Sequence, residues 1–170
     1  MHDRGRALVT NTTPLIALTA ATGGLDVLRF LYGRVVVPLE VAEEVRVGGR
    51  SAFGVDVFHD TQWLEVRREP VALPAFLRNS LDRGEAAVIQ TALDLGVSLV
   101  CIDEVAGRRV ARLCALEVTG SVGILLKARR TGFALSIPAA LRHMREHGIW
   151  LSDRVIRFAL AQDDEWSKGS

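Results

Sequence analysis

The sequence predicts an α/β domain built on a parallel sheet of about four or five strands, with helices packed on both faces. Three observations carry that prediction. Short apolar segments alternate along the chain with stretches of helical periodicity, the pattern of repeated βαβ units. The run from Val97 to Ile102 is almost continuously apolar, as a strand covered on both faces must be. Apolar residues make up 49% of the chain and aromatic residues 6%, so the core is built mainly from Val, Leu, Ile and Ala. A length of 170 residues fits one domain, placed at residues 1–165, with residues 166–170 as a fraying tail.

Ala7 to Thr10 is the first strand, and Thr12-Thr13-Pro14 opens a helix from about Thr13 to Ala21, since proline is tolerated in a first helical turn. Gly23-Gly24 ends that helix. Leu25, Leu28 and Leu31 mark a second short helix before the turn at Tyr32-Gly33, and Arg34 to Val37 is the second strand. Pro38 opens a helix whose inward residues are Val41, Val45 and Val47, whose outward face carries Glu40, Glu43 and Glu44, and which Gly48-Gly49 stops. A less regular stretch holding Phe53, Val57 and Phe58 leads to an alternating strand at Trp63 to Val66, then to a helical turn around Phe76 and Leu77.

Asp82-Arg83-Gly84-Glu85 feeds a helix with Ala86, Ile89, Ala92 and Leu93 on its inner side and Gly96 as its stop. After the central strand come a helix from Val105 to Leu113, a short strand from Leu116 to Val118 and a helix from Ser121 to Arg130. Ile137 to Glu146 and Ser152 to Ala161 are the last two helices, with fraying expected from Asp163 onward.

A net charge of +1 supplies no global field that would announce a nucleic acid or a membrane as partner. The apolar runs fall far short of the roughly 20 residues that span a bilayer, and the polar Met1 to Arg6 lacks the features of a secretory signal, so a cytoplasmic location is expected. Cys101 and Cys114 lack the spaced pairs of a zinc site or disulfide framework and are expected to be buried free thiols.

The candidate chemistry lies at strand ends. Asn11, Glu85, Asp103 and Glu104 fall at strand ends or helix starts, and Glu43 or Glu44 lies on the helix after the second strand. In an open parallel sheet these positions gather beyond the carboxyl ends of the strands. Ionised carboxylates sharing a cleft raise one another's pKa unless a cation neutralises them, and hard oxygen ligands of this kind select Mg²⁺ or Mn²⁺. Such a site orients a phosphate, helps deprotonate a water and neutralises a departing oxygen. The plainer role of the same acids is to stabilise helix N-termini, by about 0.3–1 kcal/mol each. Asn11, with Thr12 and Thr13, has a plain reading too, as a cap of the first helix.

Five segments, in order, resemble a PIN-like domain: Val9-Thr10-Asn11-Thr12-Thr13-Pro14-Leu15-Ile16, Val37-Pro38 through Glu44-Val45, Gly84-Glu85-Ala86-Ala87, Ile102-Asp103-Glu104 with Gly107-Arg108-Arg109, and Thr119-Gly120-Ser121. The resemblance spans about residues 7 to 161 and is nearest to a branch called a domain of unknown function, close to the VapC-type toxin ribonucleases. It implies a three-layer fold and a Mg²⁺- or Mn²⁺-dependent ribonuclease. It also implies the toxin role in a toxin–antitoxin pair, a homodimer, and a small antitoxin protein as inhibitor. Carried over residue by residue, the catalytic acids are Glu44, Glu85, Asp103 and Glu104, and Asn11 joins them around the metal. The family usually places Asp where this chain has Asn11. That departure implies either weakened catalysis or a domain that keeps the fold and a binding role.

Arg108, Arg109 and Arg112 lie on the helix that begins beside the acids and are candidates for steering RNA phosphates, with Thr119 and Ser121 as a phosphate rest. Lys127, Arg129 and Arg130 end a helix, where cations are favoured by the dipole alone. His143 and His147 have no third partner in sequence, so zinc is not expected. Trp63, Trp150 and Trp166 are scattered rather than interleaved with basic residues, which indicates packing rather than base stacking.

Overall fold

The computed structural model describes residues 5–47 and 53–169. Within them five strands, all parallel, form one sheet: β1 (Ala7–Thr10), β2 (Arg34–Val37), β3 (Glu65–Val66), β4 (Leu99–Cys101) and β5 (Glu117–Thr119). Their spatial order is β3-β2-β1-β4-β5. The connecting helices are α1 (Thr12–Thr22), α2 (Asp26–Leu31), α3 (Leu39–Val47), α4 (Val55–Asp60), α5 (Ala75–Ser80), α6 (Arg83–Leu95), α7 (Val105–Leu113), α8 (Ser121–Arg130), α9 (Ile137–Glu146) and α10 (Asp153–Gly169). One group gathers around α6, which packs on β1 and β4 and against α3, α5 and α7. The other joins α8 to α1, α2, α9 and α10. The predicted α/β class with helices flanking a parallel sheet is the observed one.

The strand order places the site. From β1 the chain builds outward through β2 to β3, then returns to the other side of β1 for β4 and β5. Connections leaving β1 and β4 therefore diverge and open a crevice at the carboxyl ends of those two strands. Val9 pairs with Val100 and Thr10 with Cys101, and the Asn11 N–H donates to the Cys101 carbonyl at 3.1 Å. Leu8, Val9, Val36, Val37 and Val100 are completely buried, which is why these strands read as unbroken apolar runs.

Several boundaries differ from the sequence expectation. The central strand is shorter than Val97 to Ile102, because the Val97 N–H donates back to Ala92 at the end of α6. The stretch read as irregular contains α4, a helix of 6 residues too short to show a period. Glu40 is not on the outer face of α3: it is 3% exposed, and its carboxylate accepts the Val71 N–H at 2.9 Å. Val47, placed inward by spacing, is 86% exposed, and Leu93 is also exposed. The Gly48-Gly49 stop lies outside the described residues.

The expected fraying from Asp163 is replaced by helix up to Gly169. Tertiary contacts with α8 hold this last part of α10: Arg129 pairs with Asp163 at 3.5 Å and sits 4.6 Å from the Trp166 ring, and Arg130 donates to Gln162. A cation over an indole contributes about 0.5–1 kcal/mol at a partly exposed site. The basic end of α8 is thus structural, as its position at a helix C-terminus suggested. Both cysteines are free, with Cys101 buried and Cys114 only half-buried. Trp150 is exposed rather than packed in the core.

Candidate active site

Asn11 leaves β1 at the crevice. It occupies the N-cap position of α1, yet its side chain makes no capping bond. Its amide Nδ2 donates to Glu104 Oε2 at 3.3 Å, while its Oδ1 is buried and without a hydrogen-bond partner. The two threonines do not cap α1 either. Thr12 donates its hydroxyl to Glu44 Oε2 at 2.6 Å, and Thr13 donates to Glu104 Oε1. Glu104 is likewise an N-cap by position, of α7, with no side-chain capping bond. The polar groups that sequence alone lets one spend on helix ends are turned toward each other across the crevice.

Glu85 enters from α6. The cap of that helix is Asp82, whose Oδ1 accepts the Glu85 N–H at 2.8 Å, so the Glu85 carboxylate is left for another role. It is 4% exposed. Burial first, then the charges of Asp82 and Glu104, push its pKa up to about 7, against opposing hydrogen bonds to backbone that include the Gly107 N–H. The repulsion from Glu104 reflects how close the Glu85 carboxylate on α6 comes to the end of β4.

Asp103 faces differently. Its two oxygens accept the N–H and the hydroxyl of Ser121, at 2.8 and 2.9 Å. The N-cap of α8 is Gly120, which has no side chain to offer, so Asp103 from the end of β4 does that work across the sheet. Burial raises the Asp103 pKa, and the two Ser121 bonds oppose that rise.

Three glycines make these approaches possible. A Cβ on Gly84 would lie 2.5 Å from Glu44 Oε1, one on Gly107 would lie 2.7 Å from Glu85 Oε1, and one on Gly120 would lie 2.7 Å from Asp103 Oδ1. At Gly107 the added atom would also meet Ile102 Cγ2 at 2.8 Å, a branched side chain of the core that has little room to yield. Gly107→Ala is therefore expected to destabilise the fold by about 1–3 kcal/mol, read from the urea unfolding midpoint. An unchanged midpoint would mean that α7 shifts freely.

Glu43 and Glu44 separate cleanly. Glu43 pairs with Arg83 at 3.2 Å on the surface, and Glu44 is the one that reaches Thr12. Arg108 donates Nη1 to the Ile102 carbonyl at 2.9 Å, so it braces the end of β4. Arg109 and Arg112 are exposed on α7. Thr119 donates to the Gly120 carbonyl at 3.4 Å, and Ser121 is held by Asp103.

A family model described as a PIN domain matches residues 7–165. The chain belongs to the PIN-domain family. PIN domains are generally nucleases. No curated protein matches the chain.

In this PIN domain the carboxylates form an open line rather than a closed cage. Among the described residues no three acidic, histidine or cysteine side chains stand close enough to enclose an ion. Asn11, Thr13 and Glu104 are in direct contact, Glu85 is coupled to Glu104, Glu44 joins through Thr12, and Asp103 is tied to Ser121. The donor set fits a hard divalent cation on one specific count: Asn11 Oδ1 is a buried acceptor with nothing to accept from, beside carboxylate oxygens.

Sequence reasoning read Thr12 and Thr13 only as caps of the first helix and Asp82 and Gly84 only as part of a turn, and it missed the contacts that all of them, with Gly107 and Gly120, make or permit with the carboxylates. A glycine in the first turn of α7, where it lowers helix propensity, was the available signal of a close approach.

Proposed function

We propose that this PIN domain is a metal-dependent ribonuclease that hydrolyses phosphodiester bonds. The observation that carries the reading is the buried, unpartnered Asn11 Oδ1, on a side chain in contact with Glu104, whose charge in turn acts on Glu85, at the crevice between β1 and β4. Glu85, Glu104 and Asn11 would hold Mg²⁺ or Mn²⁺, with Glu44 at the margin. When bound, that ion supplies positive charge for the scissile phosphate and acidifies a water.

The chain's own groups do the rest. Glu85 has a pKa near 7 in the metal-free protein, so it would give up its proton when a cation binds beside it and would then serve as an ionised ligand. Thr12 and Thr13 orient Glu44 and Glu104 by hydrogen bonds. Asp103, a metal ligand by the resemblance, would act instead as a positioning residue, because both its oxygens accept from Ser121 and hold the end of β4 next to Glu104. Arg109 and Arg112 offer exposed cations for RNA phosphates along α7, the helix that begins at the crevice.

Purified protein should cleave single-stranded RNA with Mg²⁺ or Mn²⁺, stop with EDTA, and lose the activity in Glu104→Gln while remaining cooperatively folded. A folded wild type that cleaves nothing in either metal favours the second reading, a PIN-like binding protein without catalysis. What favours that alternative is Asn11, which brings no negative charge and already donates to Glu104.

A toxin role, with a small antitoxin protein as inhibitor and a homodimer as the working form, is part of the same proposal and is supported by the resemblance to VapC-type toxins. A cytoplasmic site of action goes with it, and no helix among the described residues is long and apolar enough to cross a membrane. A small neighbouring reading frame whose product abolishes cleavage in co-expression is the expected companion.

A further inference from the structure

A groove of about 840 Å³ opens from the acidic crevice and runs away from the sheet between α1, α3, α4 and the turn after α9. Thr12, Thr13 and Glu44 belong to both the crevice and the groove. Further along, Phe53 and His147 stack on each other, with ring centroids 4.2 Å apart and planes inclined by 28°. His147 Nδ1 donates to the His143 carbonyl at 2.8 Å, which fixes the imidazole in place. Ile16, Val45 and Ile149 supply apolar wall, and Glu43, paired with Arg83, stands at the rim.

We propose that this groove is a nucleobase site, in which the base next to the bond being cut stacks on the Phe53–His147 pair. The proposal rests on the nuclease reading of the neighbouring carboxylates. A flat heterocycle matches an apolar wall that ends in an aromatic pair, and stacking on such a pair is indifferent to sequence. The rim adds hydrogen-bonding groups: Glu44 accepts from N–H groups on the edge of a stacked base, while Glu43 is engaged by Arg83. Sequence gave no hint of the platform, because the scattered tryptophans drew attention away from a phenylalanine and a histidine that only the fold brings together.

Nucleosides test this without any bond to cut. Binding of 2-aminopurine riboside, followed by quenching of its fluorescence, should weaken roughly tenfold in Phe53→Leu and in His147→Ala. Leucine keeps the apolar packing of Phe53, and His147 is exposed, so both variants are expected to fold, and an unchanged unfolding midpoint checks this. Mn²⁺ binding should be the same in both variants as in wild type.

Equal probe binding by wild type and both variants overturns the proposal. The two readings fail separately: RNA cleavage with no loss of probe binding in the variants removes the base site and leaves the nuclease. Variant-sensitive probe binding in a protein that cleaves no RNA removes the nuclease and leaves the groove as a base-binding site.

Discussion

Metal-free protein carrying Glu85→Gln is expected to be more stable than wild type at pH 8, by about 2–3 kcal/mol, while RNA cleavage falls by about 100-fold or more. The two effects have one cause. Burial and the charges of Asp82 and Glu104 lift the Glu85 pKa from its ordinary 4.5 to about 7. The unfolded chain gives up this proton near the ordinary value, whereas the folded protein keeps it until about pH 7. Between those limits the native state binds more protons, so wild-type stability falls as pH rises through the window and is flat above it. Glutamine is neutral throughout and removes that slope, together with the carboxylate on which the proposed chemistry depends. Urea unfolding in EDTA from pH 4.5 to 8 checks this. Parallel curves for the two proteins would show that Glu85 is not held in the strained, buried state described.

Asn11→Asp is expected to act in the opposite sense on both counts. The Asn11 amide donates to Glu104 Oε2 at 3.3 Å, and an aspartate there would present an oxygen to an oxygen. Metal-free stability should drop by about 1–3 kcal/mol at neutral pH, through a lost hydrogen bond and an added like-charge contact. Mn²⁺ affinity should rise about tenfold or more, since a charged ligand replaces a neutral one beside Glu85 and Glu104. In wild type the asparagine therefore keeps the carboxylate line tolerable without an ion, at a cost in affinity for one. A variant unchanged in both stability and Mn²⁺ binding would place the Asn11 side chain outside the site.

The sheet and most helices could be read from the chain because their signals are local. Buried strands such as Leu8-Val9 and Leu99-Val100 are apolar without interruption, and Gly96 and Gly23 stop their helices in left-handed conformations that glycine adopts freely. Errors came where tertiary contacts decide. Glu40 looks like a surface acid until the fold brings the Val71 N–H to one of its carboxylate oxygens, and the chain beyond Asp163 looks frayed until α8 is packed beside it.

At the site, the residue types were visible but their partners were not. Asp103 and Glu104 are adjacent and chemically alike, yet Asp103 is bound to Ser121 and Glu104 to Asn11 and Thr13. No spacing rule separates such neighbours. Gly107 could be read from sequence as the mark of a close approach, but not what approaches, because what the glycines at 84, 107 and 120 each make room for is a carboxylate from elsewhere in the chain.

Calorimetric titration of the folded, metal-free protein with Mn²⁺ bears most directly on the central claim that oxygens of Glu85, Glu104 and Asn11 serve one cation. Saturable binding near one ion per chain is expected for wild type, weakened at least about tenfold in Glu104→Gln and accompanied by proton release below pH 7, as Glu85 ionises. No heat of binding at millimolar Mn²⁺, or the same affinity in wild type and Glu104→Gln, would contradict it.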